Sequence, residues 1–195
     1  LGVELGLNGC FVAGYIGTHG LAHGLETLLD AAQTLQQVRG AENIRILFLG
    51  DGAKKAELVE SAKIRGLRNV LFVASVPKDQ VPRYWSLLDV SIIHLRKTDL
   101  FTSVIPSKLF ECMGMGIPVL HGVAGESAAI VQTEQVGEVF ESDNAQQLVD
   151  VLLKLLADET RFKSYQANGL SAAQRYDRKH LAANMLEILK KVIAK

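Results

Sequence analysis

Lys108 and Glu111 stand three residues apart, just behind Pro106 and Ser107, in the stretch TSVIPSKLFECMGMGIPVLHG (Thr102–Gly122). Proline suits the first turn of a helix, where its missing N–H costs nothing. It also pushes the residues before it into extended geometry. Thr102–Ile105 is therefore expected to arch ahead of the helix and offer unpaired N–H groups. Ser107 and Lys108 then sit at the positive end of the helix, a place that favours an anion. Glu111 lies one turn deeper on about the same face, where a carboxylate can accept hydrogen bonds from two adjacent hydroxyls such as those of a ribose. Phosphate at the helix start and ribose at Glu111 is a nucleotide layout. The same spacing equally fits a first-turn Lys–Glu pair with no ligand, and spacing alone leaves both open.

The elements that must carry this stretch alternate. Apolar runs read as strands at Phe11–Gly17, Ile44–Gly50, Asn69–Val73, Asp89–Leu95, the IPVL segment 117–120, and Gly137–Phe140. Helical spacing runs from Leu21 to Val38 and again over Lys54–Arg65, with a short irregular helix between Pro77 and Leu88. Glu126 opens a further helix. From Asn144 the pattern is helical, over about Asn144–Leu156, Glu159–Asn168 and Arg178–Ala194. Several strands are continuous apolar runs, so both faces should be covered. That is the pattern of a doubly wound parallel sheet of about six strands, an α/β Rossmann-like fold. No linker or repeat interrupts it, and residues 1–195 read as one domain.

In such a sheet ligands bind beyond the carboxyl ends of the strands. The loops there are GTHGLAHG, GDGAKK, ASVPKDQ, the run from Leu95 into the opening stretch, and HGVAGES. They are rich in glycine and cations. Gly17, Thr18, His19 and His23 lie in the first of them. The two histidines could donate to phosphate oxygens or merely satisfy loop backbone, and GTHGLAHG lacks both the dinucleotide and the Walker A pattern. Asp51 reads as a turn residue, and His94 and His121 as packing residues. Lysine plus arginine equals aspartate plus glutamate at 21 each. That balance gives no support for nucleic-acid binding. Cys10 and Cys112 have no partner at metal or redox spacing. No apolar run approaches the roughly 20 residues that cross a bilayer, and no signal peptide is visible.

Six stretches together resemble a known family: YIGTHGLAHGLETLLDAA, FLGDGAKKAEL, NVLFVASVPKDQVPRYW, DVSIIHL, SVIPSKLFECMGMGIPVLHGVAGESAAIV and YDRKHLA. The chain is similar to the C-terminal, donor-binding lobe of GT-B glycosyltransferases of family four, the "glycosyl transferases group 1" type. Within it, the bacterial surface-polysaccharide subgroup (colanic-acid and O-antigen transferases) is the nearest resemblance. The resemblance implies transfer of a sugar from a nucleoside diphosphate sugar, UDP before GDP, to an acceptor hydroxyl with retention and without a bound metal. It implies that Glu111, the second glutamate of an E-x7-E motif, holds the donor ribose. Ser103, Val104 and Ile105 would face the sugar and diphosphate, Gly17 would serve the first strand–helix loop, Val76 would frame the base, and Lys108 would lie near the diphosphate. Ser103 stands where the first motif glutamate is expected, and His23 where many members carry lysine. The chain opens on Leu1, which fits one lobe of a longer enzyme, with an N-terminal acceptor lobe as its partner and an acceptor glycan or lipid-linked sugar as the other substrate. Such an enzyme would be cytoplasmic, with the membrane's inner face as its place of contact. Two other readings remain at this level: a sugar-nucleotide epimerase of the same architecture, and a non-catalytic nucleotide-binding module.

Overall fold

Runs such as IRILFL and VSIIH carry no polar residue on alternate positions that a solvated face would need, so they fold where both faces are covered. The computed structural model describes residues 1–193. Strands β1 (Phe11–Ile16), β2 (Ile44–Leu49), β3 (Val70–Val73), β4 (Val90–His94), β5 (Val119–Gly122) and β6 (Gly137–Val139) form one sheet in the order β3-β2-β1-β4-β5-β6. Every pairing is parallel. The order reverses between β1 and β4, and a crevice opens at such a switch point beyond the strand ends.

Helices α1 (Glu26–Leu35), α2 (Lys55–Ile64) and α6 (Ala145–Leu156) cover one face, where Leu28, Leu29, Leu58, Leu148 and Leu152 pack with Phe48 and Ile92. Helices α3 (Val81–Trp85), α4 (Lys108–Met115), α5 (Glu126–Glu134) and α7 (Glu159–Ala173) cover the other, through Trp85, Leu109, Met113, Val131 and Ala172. Each fully buried leucine contributes about 2 kcal/mol. Asn144 and Asp158 cap α6 and α7, their side-chain oxygens accepting from the N–H groups of Gln147 and Arg161 at 3.0 and 2.9 Å.

Four expectations need correction. The helix expected over 21–38 is broken: Leu21–His23 form a 3-10 turn, the chain turns left-handed at Gly24 (φ 52°), and α1 starts only at Glu26. The segment from Pro77 yields only the five-residue α3, because Pro77 and Pro82 restrict helix to the residues around them. Helix α7 does not stop at Asn168 but runs to Ala173. Gly169 is a packing residue there; a Cβ on it would lie 3.4 Å from the Met113 carbonyl oxygen, so its lack of side chain lets α7 approach α4. Lastly, Thr102 and Ser103 are not extended. Asp99–Ser103 is a 3-10 turn, and only Val104 and Ile105 remain between it and the helix. Helix α8 spans Arg178–Ile193; Ala194, its expected last residue, lies outside the described residues.

Candidate functional site

The loops after β1 and β2 are pressed together. The His19 N–H donates to the Asp51 carbonyl at 2.8 Å, and the Lys54 N–H donates to the His19 carbonyl at 2.9 Å. Gly50 makes the approach possible: its φ is 149°, and a Cβ there would sit 1.9 Å from the Gly17 carbonyl oxygen. Asp51 is a turn residue, its Oδ1 accepting from the Gly52 N–H at 2.8 Å. The His19 ring goes inward. It is fully buried beside Phe48 and Phe72, with ring centroids 6.1 and 6.4 Å away, and neither nitrogen has a partner. Burial, with the Lys55 charge second, pulls its pKa down to about 4. Expected at the ligand edge, His19 instead supports the loop from below.

Lys108 crosses the sheet's edge in the opposite sense. Its Nζ lies 4.0 Å from the centroid of the Tyr15 ring, against the backbone of Gly17. The Tyr15 hydroxyl donates to the Thr18 carbonyl at 2.9 Å, which holds the ring under the loop. Burial lowers the Lys108 pKa to about 8, while Cys112 and Glu111 pull it back upward. The Lys108–Glu111 pair that the spacing left open does not form. Glu111 is exposed, and among the described residues no carboxylate lies within 4.0 Å of the Lys108 ammonium.

His23 is tied down through its backbone. His94 Nδ1–H donates to the His23 carbonyl at 2.7 Å, and His94 Nε2 accepts the Asp143 N–H at 2.9 Å. The second bond requires a bare Nε2, so His94 is neutral with its proton on Nδ1. Burial lowers its pKa. Arg96 continues the clamp, its Nε donating to the Leu21 carbonyl at 2.8 Å and its guanidinium meeting Glu26 at 3.0 Å. The His23 ring stays half-buried beside Tyr15, at 5.9 Å between centroids. Burial first, and Lys108 second, lower its pKa.

Two cavities meet at Val81. One, of about 320 Å³, is lined by Gly17, Thr18, Gly50, Asp51 and Val76. The other, of about 600 Å³, runs between α3 and α4 and is lined by Lys78, Pro82, Trp85, Glu111 and Met115. Gly17, Thr18 and Val76 thus line the first cavity and Glu111 the second, while the Lys108 ammonium lies against Gly17 and lines neither. Ser107 is exposed at the start of α4, and Ser103, Val104 and Ile105 form the rim before it. The rim hydroxyls turn to their own turn, Thr102 Oγ1 donating to the Asp99 carbonyl at 2.7 Å and Ser103 Oγ to that of Leu100 at 3.5 Å. Sequence reasoning missed Tyr15 and Val81. Tyr15 reads as an ordinary strand aromatic, and Val81 carries no local signal at all. Among the described residues no three His, Cys, Asp or Glu side chains gather as a metal site would need, and no helix is long and apolar enough to cross a membrane.

Comparison with known proteins accords with this geometry. The family model described as "Glycosyl transferases group 1" matches residues 10–158. A putative colanic acid biosynthesis glycosyl transferase of Escherichia coli K12, WcaI, is 31% identical over 102 residues, which are 52% of this chain and 24% of that protein. A putative teichuronic acid biosynthesis glycosyltransferase of Bacillus subtilis 168, TuaH, is 27% identical over 160 residues, 80% of this chain and 38% of that protein. The chain therefore spans well under half the length of these relatives. The crystal structure of Anabaena HepE in complex with UDP superposes with a TM-score of 0.83 at 20% identity, covering 97% of this chain and 51% of HepE. With three quarters of its length matched by one family model and its six-stranded sheet matched by GT-B structures, the chain belongs to the glycosyl transferases group 1 family.

Proposed function

We propose that this chain is the donor-binding lobe of a retaining glycosyltransferase that takes a sugar from a nucleoside diphosphate sugar, UDP in preference to GDP, and passes it to an acceptor hydroxyl. The observation that carries this is the pair of cavities meeting at Val81, with Val76 in one and Glu111 in the other. A base beside Val76 and a ribose within reach of Glu111 would place the diphosphate at the Gly17 loop and the start of α4. There the N–H groups of the helix start and the Lys108 ammonium would stabilise charge developing on the departing diphosphate. Fixed donors of this kind need no metal, and we infer that none is used. HepE has also been crystallised with UDP-glucose, which supports the same class of donor here.

The names of the colanic and teichuronic acid relatives support a role in bacterial polysaccharide synthesis; we further propose that this role, or one in lipopolysaccharide synthesis, is carried out in the cytoplasm, with acceptors presented at the inner face of the membrane. The acceptor glycan or lipid-linked sugar would be held by an N-terminal lobe. Helix α8 offers that lobe a surface: Leu181, Met185, Ile188 and Val192 form an exposed apolar stripe along it.

Calorimetric titration tests the reading. UDP and a UDP-sugar should bind this chain more tightly than GDP. Glu111→Ala should weaken UDP roughly tenfold or more, the cost of losing hydrogen bonds to an ionised group, with an unchanged thermal melt. Equal affinity in Glu111→Ala would remove the ribose assignment. Without the acceptor lobe, the chain should transfer little sugar.

A further inference from the structure

Lys55 opens α2, the helix that follows the GDG turn. A cation in the first turn of a helix faces the positive end of its dipole, which works against it. The neighbouring Lys54 is answered by carboxylates, Glu57 at 2.5 Å and Glu26 at 3.7 Å. Lys55 has none within 4.0 Å among the described residues. Its half-buried side chain instead donates to two backbone carbonyls, that of Gly50 at 2.7 Å and that of Val73 at 3.2 Å. These carbonyls stand where two strands end. The β2–β3 register closes on Leu49 opposite Val73. Past that rung the Gly50 N–H reaches the Val73 carbonyl only at 3.4 Å, a long bond. The two chains then part, and Gly50 and Asp51 on one side and Ser75 and Val76 on the other line the cavity of about 320 Å³. Lys55 bridges the fork and does not line the cavity.

We propose that Lys55 is a positioning residue for the nucleoside: by bridging the Gly50 and Val73 carbonyls it fixes the separation of the two loops that hold the base. The proposal rests on the donor reading above and deepens it. An ammonium suits the task, because its several N–H groups serve both carbonyls at once and a charged donor strengthens each bond. It acts through the loop backbones and needs no contact with the ligand. Without it both carbonyls lose their charged partner, and the Val76 loop is free to move away from the Gly50 turn. The diphosphate depends on other bonds. The Gly17 loop is held by the backbone pairs His19–Asp51 and Lys54–His19, which the loss of the Lys55 ammonium leaves in place. The effect of losing Lys55 therefore falls on the base and spares the anion.

Calorimetric titration with UDP and, separately, with pyrophosphate divides the base from the anion. Lys55→Met keeps the apolar stem and removes the ammonium. Its UDP affinity should fall roughly tenfold, the cost of losing hydrogen bonds from a charged group, while its pyrophosphate affinity stays that of the parent. Lys54→Met removes the same charge from the same helix start and should change neither. A lysine that served folding alone would lower the thermal melt and leave the ratio of the two affinities untouched. If Lys55→Met does not fold, Lys55→Gln, which keeps a neutral donor, takes its place, with a smaller loss for UDP and again none for pyrophosphate. Equal losses for both ligands, no loss for either, or a UDP loss that Lys54→Met reproduces overturns the proposal and leaves the donor reading standing. A parent chain that binds UDP no tighter than pyrophosphate overturns the nucleoside reading, and the proposal with it.

Discussion

Gly50→Ala should lower the unfolding free energy by about 3 kcal/mol or more and abolish UDP binding with it. Two costs add. The residue sits at φ 149°, a region essentially confined to glycine, where any side chain costs of order 1–3 kcal/mol. The new methyl carbon would also overlap the Gly17 carbonyl oxygen, at 1.9 Å, and that oxygen is backbone, which cannot swing aside. The loops after β1 and β2 must separate, stretching the His19–Asp51 and Lys54–His19 bonds that hold them. Forced repacking of this kind costs about 1–3 kcal/mol more. For a chain of this size the melting temperature should drop by about 10 °C. Gly114→Ala is the control: nothing lies within 4 Å of the added carbon, and inside α4 alanine should raise stability by about 0.5–1 kcal/mol. Equal melts for Gly50→Ala and the parent would mean that the two loops do not touch as described.

The second large effect is acid lability. His19 and His121 are both fully buried, and burial holds each near pKa 4. Only His121 Nε2 has a partner, the Ser127 hydroxyl at 2.8 Å; His121 Nδ1 and both nitrogens of His19 have none. In the unfolded chain both titrate near 6.5. Above that value neither state binds the proton, and stability is full. As pH falls from about 6.5 toward 4, the unfolded chain takes up protons that the folded one refuses, and stability is lost. Each histidine accounts for about 3 kcal/mol over that span, so the pair consumes a large part of the 5–15 kcal/mol typical of a domain. Denaturant melts between pH 7 and 4 should show this as a steep fall. His19→Phe, placed among Tyr15, Phe48 and Phe72, should remove about one proton from the slope and keep UDP affinity, since the ring faces the core. A flat profile, or an unchanged slope in His19→Phe, contradicts the burial.

These effects show what the amino-acid pattern could and could not disclose. The sheet was legible because a buried parallel strand favours a largely apolar run, and the chain has several such runs separated by helical spacing. Boundaries failed where one residue overrode a periodicity. Leu21 and Leu25 keep helical spacing with α1, yet the chain turns at Gly24 between them. Gly169 looks like a stop, yet it sits inside α7 because α4 packs there. Gly17, Val76 and Glu111, expected at the ligand edge from local order, do line the two cavities there. The site was not legible where a partner comes from another strand. Nothing near Lys108 in sequence says that its ammonium will lie over Tyr15 instead of pairing with Glu111. Nothing near His19 says that Phe48 and Phe72 will enclose it.

A crystal structure of this chain grown with UDP puts the whole account to its most direct test. The ribose hydroxyls should lie within hydrogen-bonding distance of the Glu111 carboxylate, the base beside Val76, and the terminal phosphate against the start of α4 within reach of Lys108 Nζ. Density for the nucleotide elsewhere on the sheet edge, or a diphosphate pointing away from α4, would contradict it.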